Sequence, residues 1–182
     1  MNSSLKIDDF NRTEDVTSEV LIKYSSRLPT QIVDIWKHYG FGTFLDGYLK
    51  VVNPDVYQDF LKNSFELWDS TCITLFATSM ADLIVLKNGY LYFLNFRYKK
   101  FDVIAKDIKF FFIDIQDEEF LDEELEWNPY AKAKEKLGVP AFSECFGYEP
   151  ILAAGGSEKI EKLKKVKLIE HINLIVQFTG KI

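Results

Sequence analysis

The sequence predicts an α+β protein, with a central antiparallel sheet of meander type covered by helices. Three observations predict it. From Cys72 to Ile104, apolar, β-prone runs succeed one another at short intervals. Asn88-Gly89 joins two of these runs, and it is the strongest hairpin signal in the chain. Segments with apolar residues at helical spacing stand on either side, near 30–39, 54–62 and 169–178.

Taken in order, Val20-Leu21-Ile22 with Tyr24 makes a short helix. A clearer one opens at Leu28-Pro29-Thr30, where a first-turn proline is tolerated, and Ile32, Val33, Ile35, Trp36 and Tyr39 give its apolar face. Gly40 ends it. His38, beside that end, reads as a helix-capping cation rather than a catalytic group. Phe41 to Gly47 is a glycine-punctuated turn carrying two aromatics, without the glycine spacing and Lys-Ser or Lys-Thr of a phosphate loop. Tyr48-Leu49-Lys50-Val51-Val52 is a strand. Asn53 caps and Pro54 begins a helix whose apolar face is Val56, Tyr57, Phe60 and Leu61. The meander follows as Cys72–Thr78, Leu83–Leu86, Tyr90–Phe96 and Lys100–Ile104, and it needs helices over one face.

Asp107 caps a short helix through Phe110, Phe111 and Ile113, and then the composition shifts. Asp114 to Glu126 holds eight carboxylates and no Lys or Arg, with Phe120, Leu121, Leu125 and Trp127 interleaved. Such a run is either a solvated face or an acidic docking surface with aromatic anchors. On the second reading the candidate partner-binding residues are Asp117, Glu118, Glu119, Phe120, Asp122, Glu123 and Trp127. Asn128-Pro129 caps the next helix, which runs through Ala133 and Leu137 to Gly138.

Glu144 to Gly156 mixes Gly147, Pro150 and the pair Gly155-Gly156 with Phe146, Tyr148, Ile151 and Leu152. It reads as an irregular segment laid across the core, in which Tyr148, Ile151 and Leu152 are buried, Gly147 and the glycine pair can take positive φ at little steric cost, and Gly155 or Gly156 is expected to do so. Its carboxylates Glu144 and Glu149 are further candidates for the edge of a binding surface. Ile160 and Leu163 follow in a lysine-rich segment. The last helix starts after Lys167, lined by Ile169, Ile172, Ile175 and Val176.

Composition bounds the function. The chain has 182 residues, enough for one domain or two small ones packed together, and its 16 Phe and 9 Tyr supply a sizeable core. A net charge of −6 argues against direct nucleic-acid binding and fits a basic partner. Cys72 and Cys145 are expected as free buried thiols, a single bridge between them being the alternative. Met1 to Lys6 has no apolar signal core and no run is long enough to span a membrane, so a cytoplasmic protein is expected. No catalytic, metal or cofactor constellation is present. Cys145 has Glu144 beside it, which opposes a thiolate, and His171 on an amphipathic helix reads as structural.

Two sets of residues carry a family resemblance. Pro29, then Trp36-Lys37-His38-Tyr39-Gly40-Phe41-Gly42-Thr43-Phe44-Leu45-Asp46-Gly47 and Val52-Asn53-Pro54, resembles the signature of the GAD-like domain family. Gly138-Val139-Pro140, Glu144 through Pro150, Leu152, Gly155-Gly156, Lys165-Val166-Lys167 and Glu170-His171 resemble the C-terminal domain of immunity proteins that protect bacteria from DNase toxins delivered by type VI secretion. Ser79-Met80-Ala81-Asp82 departs from the family's tendency to Gly-Asp, and Phe146 stands where Tyr is common. The resemblance implies a GAD-like region over 5–104 and an immunity-type region over 105–180, packed as one unit. It further implies a non-enzymatic protein that binds and blocks a co-encoded toxin, a basic nuclease.

Two other readings stand beside it. One is a small-ligand or regulatory module that uses the aromatic loops Phe41–Tyr48 and Phe146–Tyr148. The other is a hydrolase using Asp46, Glu144 and His171.

Overall fold

Seven strands, each hydrogen-bonded to its neighbour in the chain, form one antiparallel sheet in the computed structural model, which describes residues 6–182. They are β1 (Asn11–Glu14), β2 (Phe41–Phe44), β3 (Leu49–Val51), β4 (Ile73–Thr78), β5 (Leu83–Lys87), β6 (Tyr90–Asn95) and β7 (Lys100–Ala105). A separate two-stranded ladder pairs β8 (Glu144–Tyr148) with β9 (Leu163–Lys167). The helices are α1 (Ser18–Tyr24), α2 (Thr30–Tyr39), α3 (Gln58–Ser64), α4 (Ile108–Asp114), α5 (Glu118–Leu125), α6 (Asn128–Leu137) and α7 (Leu168–Thr179). The fold is α+β, as expected. Residues 1–5, read above as lacking a signal core, lie outside the described residues.

The expected meander is β4 to β7. Asn88 and Gly89 both take positive φ, at 50° and 84°, as a type I′ hairpin requires. The sheet is larger than the sequence suggested. Four of the seven residues read as a turn, Phe41–Phe44, form strand β2, and β1 pairs with it antiparallel. Gly42 permits this, since a Cβ there would collide with the backbone of Asn11 and Arg12. The true turn is Leu45-Asp46-Gly47, all at positive φ.

Helices cover both faces of the sheet, not one. On β5, Ile84 and Leu86 enter a core shared with Val20, Ile32, Trp36, Phe111, Leu121 and Tyr130. Leu83 and Val85 point the other way, to Leu61, Phe65, Leu168, Ile172 and Ile175. So α1, α2, α4, α5 and α6 form one layer, and α3 and α7 the other. Each large aliphatic side chain buried this way contributes about 1.5–3 kcal/mol.

Side-chain caps fix the start of three of the seven helices among the described residues. The Asp107 carboxylate accepts from Lys109 N–H at 2.8 Å and that of Asp117 from Glu119 N–H at 3.0 Å, capping α4 and α5. Asn53 accepts from Asp55 N–H at 3.0 Å, but it caps a 3-10 turn, Pro54–Val56, and α3 starts only after Tyr57. Asn128 does not cap α6: it is the first helical residue, and Trp127 holds the cap position without a side-chain bond. The chain swings straight from α5 into α6 through Glu126 at φ 53°, with Trp127 N–H bonded to the Leu121 carbonyl.

The segment 144–156 is also more regular than its glycines and proline implied, because its first five residues are strand β8. Tyr148 and Ile151 are buried, while Leu152 is only partly so. Gly155 takes positive φ, at 84°, and the Glu149–Pro150 bond is cis. Cys72 and Cys145 are free and buried.

Candidate partner-binding surface

The acidic run becomes the amphipathic helix α5. Its 3.6-residue period turns Leu121 and Leu125 into the core and leaves Asp117, Glu118, Glu119, Asp122, Glu123 and Glu124 in solvent. Phe120 is half-buried and packs on the core edge. Glu126 sits past the helix end and accepts from Lys100 Nζ at 3.1 Å. The remaining carboxylates of α5 have no ion pair among the described residues.

Trp127 has two roles in the geometry. Its ring meets Tyr48 edge-on at 4.9 Å and Tyr130 at 5.2 Å, so it is anchored in the core. It also lines a recess of about 160 Å³ with Glu118, Asp122, Asn128 and Ala131. Glu118 and Asp122 are four residues apart on a helix, hence on adjacent turns of one face. The sequence reading named three of these five lining residues. Asn128, read only as a helix cap, and Ala131 gave no sign in the sequence of belonging to a site; the tight α5–α6 junction brings them in.

Glu144 and Glu149 lie elsewhere, on and just after β8, and each already holds a lysine of β9. Glu144 accepts from Lys167 Nζ and from Ala141 N–H, both at 3.3 Å, and Glu149 pairs with Lys164 at 2.5 Å. The Ala141 N–H, followed by Lys167, holds the Glu144 carboxyl below its ordinary pKa.

The residues of the hydrolase reading go to separate partners. Asp46 pairs with Lys134, Glu144 with Lys167, and His171 packs against Gly147. Burial pushes the Cys145 thiol pKa up strongly. His38 directs Nδ1 at the Asp34 carbonyl, 2.8 Å away, in the last turn of α2. Among the described residues no group of His, Cys, Asp and Glu is placed to hold a metal ion, and no helix is long and apolar enough to cross a membrane.

The aromatic loops of the small-ligand reading are mostly spent in the core: Phe41, Phe44, Tyr48, Phe146 and Tyr148 are all buried. A larger cavity, about 490 Å³, opens instead at a seam where Val52, Val56 and Tyr57 face Phe142, Leu168 and Ile169. Glu14, Ser143, Lys167 and Glu170 give it polar edges.

Sequence reasoning missed the buried charges. Asp82 and Arg97 form an ion pair at 2.8 Å with both side chains out of solvent. Thr78 Oγ1 also donates to Asp82, at 3.0 Å. Lys50 is buried with Nζ on the Ala141 carbonyl at 3.0 Å, and burial lowers its pKa to about 8. Ala81, where the resembled family favours glycine, has φ 67°.

Comparison with known proteins now adds to this geometry. Residues 4–91 match the GAD-like domain, and residues 105–179 match the family described as T6SS immunity protein Tdi1, C-terminal. The two segments together span the acidic helix, the recess and both walls of the seam cavity. Among solved structures, the chain is similar to Atu4351 from Agrobacterium tumefaciens, with a TM-score of 0.75 at 15% identity over 92% of this chain and 85% of that one. That likeness is one of fold. No curated protein matches the chain.

Proposed function

From the matches of residues 4–91 to the GAD-like domain and 105–179 to the T6SS immunity protein Tdi1 C-terminal family, we propose that this chain binds and blocks a toxin encoded beside it, in the cytoplasm and without catalysis of its own. The observation that carries the proposal is the match over 105–179, a segment that also presents the unpaired carboxylates of α5. The toxin is taken to be a nuclease. A nuclease must be basic where it grips phosphate. An exposed acidic helix competes for that surface and speeds encounter by long-range attraction. The contact residues are then Asp117, Glu118, Glu119, Phe120, Asp122, Glu123 and Trp127. Glu144 and Glu149 rank behind them, because lysines of β9 already neutralise both. The working division of the chain is 5–104 and 105–180, packed as one unit.

The test is co-expression followed by kinetics. The toxin alone should stop growth, and this chain should restore it. Replacing Glu118, Glu119 and Asp122 by Lys should slow association and weaken its salt dependence while the melting temperature stays put. A chain that neither restores growth nor binds the toxin would end this reading.

The seam cavity favours a second reading, a small-ligand module. Its apolar walls and few polar edges suit a compact, largely apolar molecule. Native mass spectrometry of the purified protein would detect such a ligand, and Ser143→Trp, which fills the cavity, should abolish it.

A further inference from the structure

We propose that the recess beside Trp127 takes an arginine side chain of the toxin, making it the anchor point of the acidic face. This rests on the reading of the chain as a toxin-binding protein and adds where, and with what chemistry, the partner is held.

The walls define the occupant. Glu118 and Asp122 supply two carboxylates, Trp127 supplies an indole, and no basic residue lines the recess. A guanidinium is planar, stays charged and stacks on an aromatic surface, and its fork of N–H donors suits carboxylates. Its three-methylene stem needs apolar cover, which Trp127 and Ala131 provide. The volume of about 160 Å³ admits one long side chain and little more. A cation there would also relieve the repulsion between Glu118 and Asp122, four apart on one helix face.

The walls of the recess are also held by contacts within the chain. Tyr48 and Tyr130 hold the indole from behind, and the Trp127 N–H is tied to the Leu121 carbonyl at 3.0 Å. Asp117 fixes the start of the helix that carries both carboxylates. A preformed site loses less freedom on binding, and that difference appears in the dissociation rate.

The experiment compares equal losses of charge at two places on one helix. Glu118→Gln with Asp122→Asn removes both recess carboxylates; Glu119→Gln with Glu123→Gln removes two that do not line it. Association and dissociation are measured against the inactivated toxin encoded beside this chain. The recess pair should accelerate dissociation at least tenfold, while the control pair changes mainly association, and by a few-fold. Trp127→Phe, which keeps a ring against Tyr48 and Tyr130, should accelerate dissociation several-fold while the protein stays folded at the assay temperature, its melting temperature falling modestly. If both pairs cost the same, the acidic face acts as a diffuse field and the recess is no anchor, although the toxin-binding reading stands. If wild type shows no binding to the toxin, that underlying reading fails first.

Discussion

The imidazole of His171, on α7, lies so close to the backbone of Gly147, on β8, that a Cβ at position 147 would overlap the ring. The glycine is there for this approach. Its φ is not positive, so the close approach and not the backbone conformation is what asks for glycine. Gly147→Ala should therefore destabilise the protein by about 1–3 kcal/mol, the usual cost of overpacking. Thermal or urea unfolding measures it. His171→Ala in the same chain should recover part of the loss, whereas no recovery would mean that the strain lies elsewhere.

His171 also makes stability sensitive to acid. Burial lowers its pKa below the ordinary 6.5; Glu149 opposes that shift and Arg97 adds to it. Below pH 6.5 the unfolded chain takes up a proton that the folded one resists, so this residue's contribution is full above 6.5 and is lost as pH falls towards the folded value. His171→Gln should flatten the stability profile in that window. An identical acid slope in the variant would assign the effect to another group.

Lys50 gives a dependence at the opposite end. Its ammonium is buried with one carbonyl partner, and burial brings the pKa down from 10.5 to about 8, against the pull of Cys145 and Glu144. The charged form is the disfavoured one in the fold. The penalty is present at neutral pH and fades as pH rises from about 8 towards 10.5, where both states become neutral. Lys50→Met should raise stability at pH 7 by about 1–3 kcal/mol. The advantage should shrink by pH 10, as unfolding curves at the two pH values would reveal.

The Asp82–Arg97 pair should behave as a unit. Arg97→Met leaves a buried carboxylate supported only by Thr78, and about 3–5 kcal/mol should be lost. Removing both charges, as Asp82→Asn with Arg97→Met, should cost less than the single change. A double-mutant cycle in which the two losses simply add would show that the residues are not coupled.

Much of the fold was legible because local chemistry and global arrangement agree. Asn88-Gly89 wrote its own hairpin, and Asp107 marked the start of a helix, whereas the acidic run gave no sign that Asp117 caps another. Gly40 and Gly138 marked two ends, at φ 78° and 71°. What was hidden depends on context. β1 is exposed along its whole length, so no alternation betrays it. Lys50 sits in a strand whose two faces are both covered, and nothing in Leu49-Lys50-Val51 says so. On the candidate surface, the run of carboxylates and Trp127 were plain in the sequence. The recess was not, because it needs Asn128 and Ala131 from the next helix. That junction turns on Glu126 in a left-handed conformation, which a Glu rarely announces.

The neighbour-to-neighbour order of the seven strands bears on how the chain folds while it is being made. Each strand's partner is the next one synthesised, so apart from the connections that carry α1 with α2 and α3 the loop closures are short, and the sheet can build from the N-terminal side as it leaves the ribosome. One of its faces must wait. Leu83, Val85 and Leu94 are made early, but Leu168, Ile172 and Ile175, which pack in their cluster, are made well after them. For that interval the nascent protein carries an apolar face covered only in part, by Leu61 and Phe65 of the α3 region, and the arrival of α7 closes its window of vulnerability to aggregation.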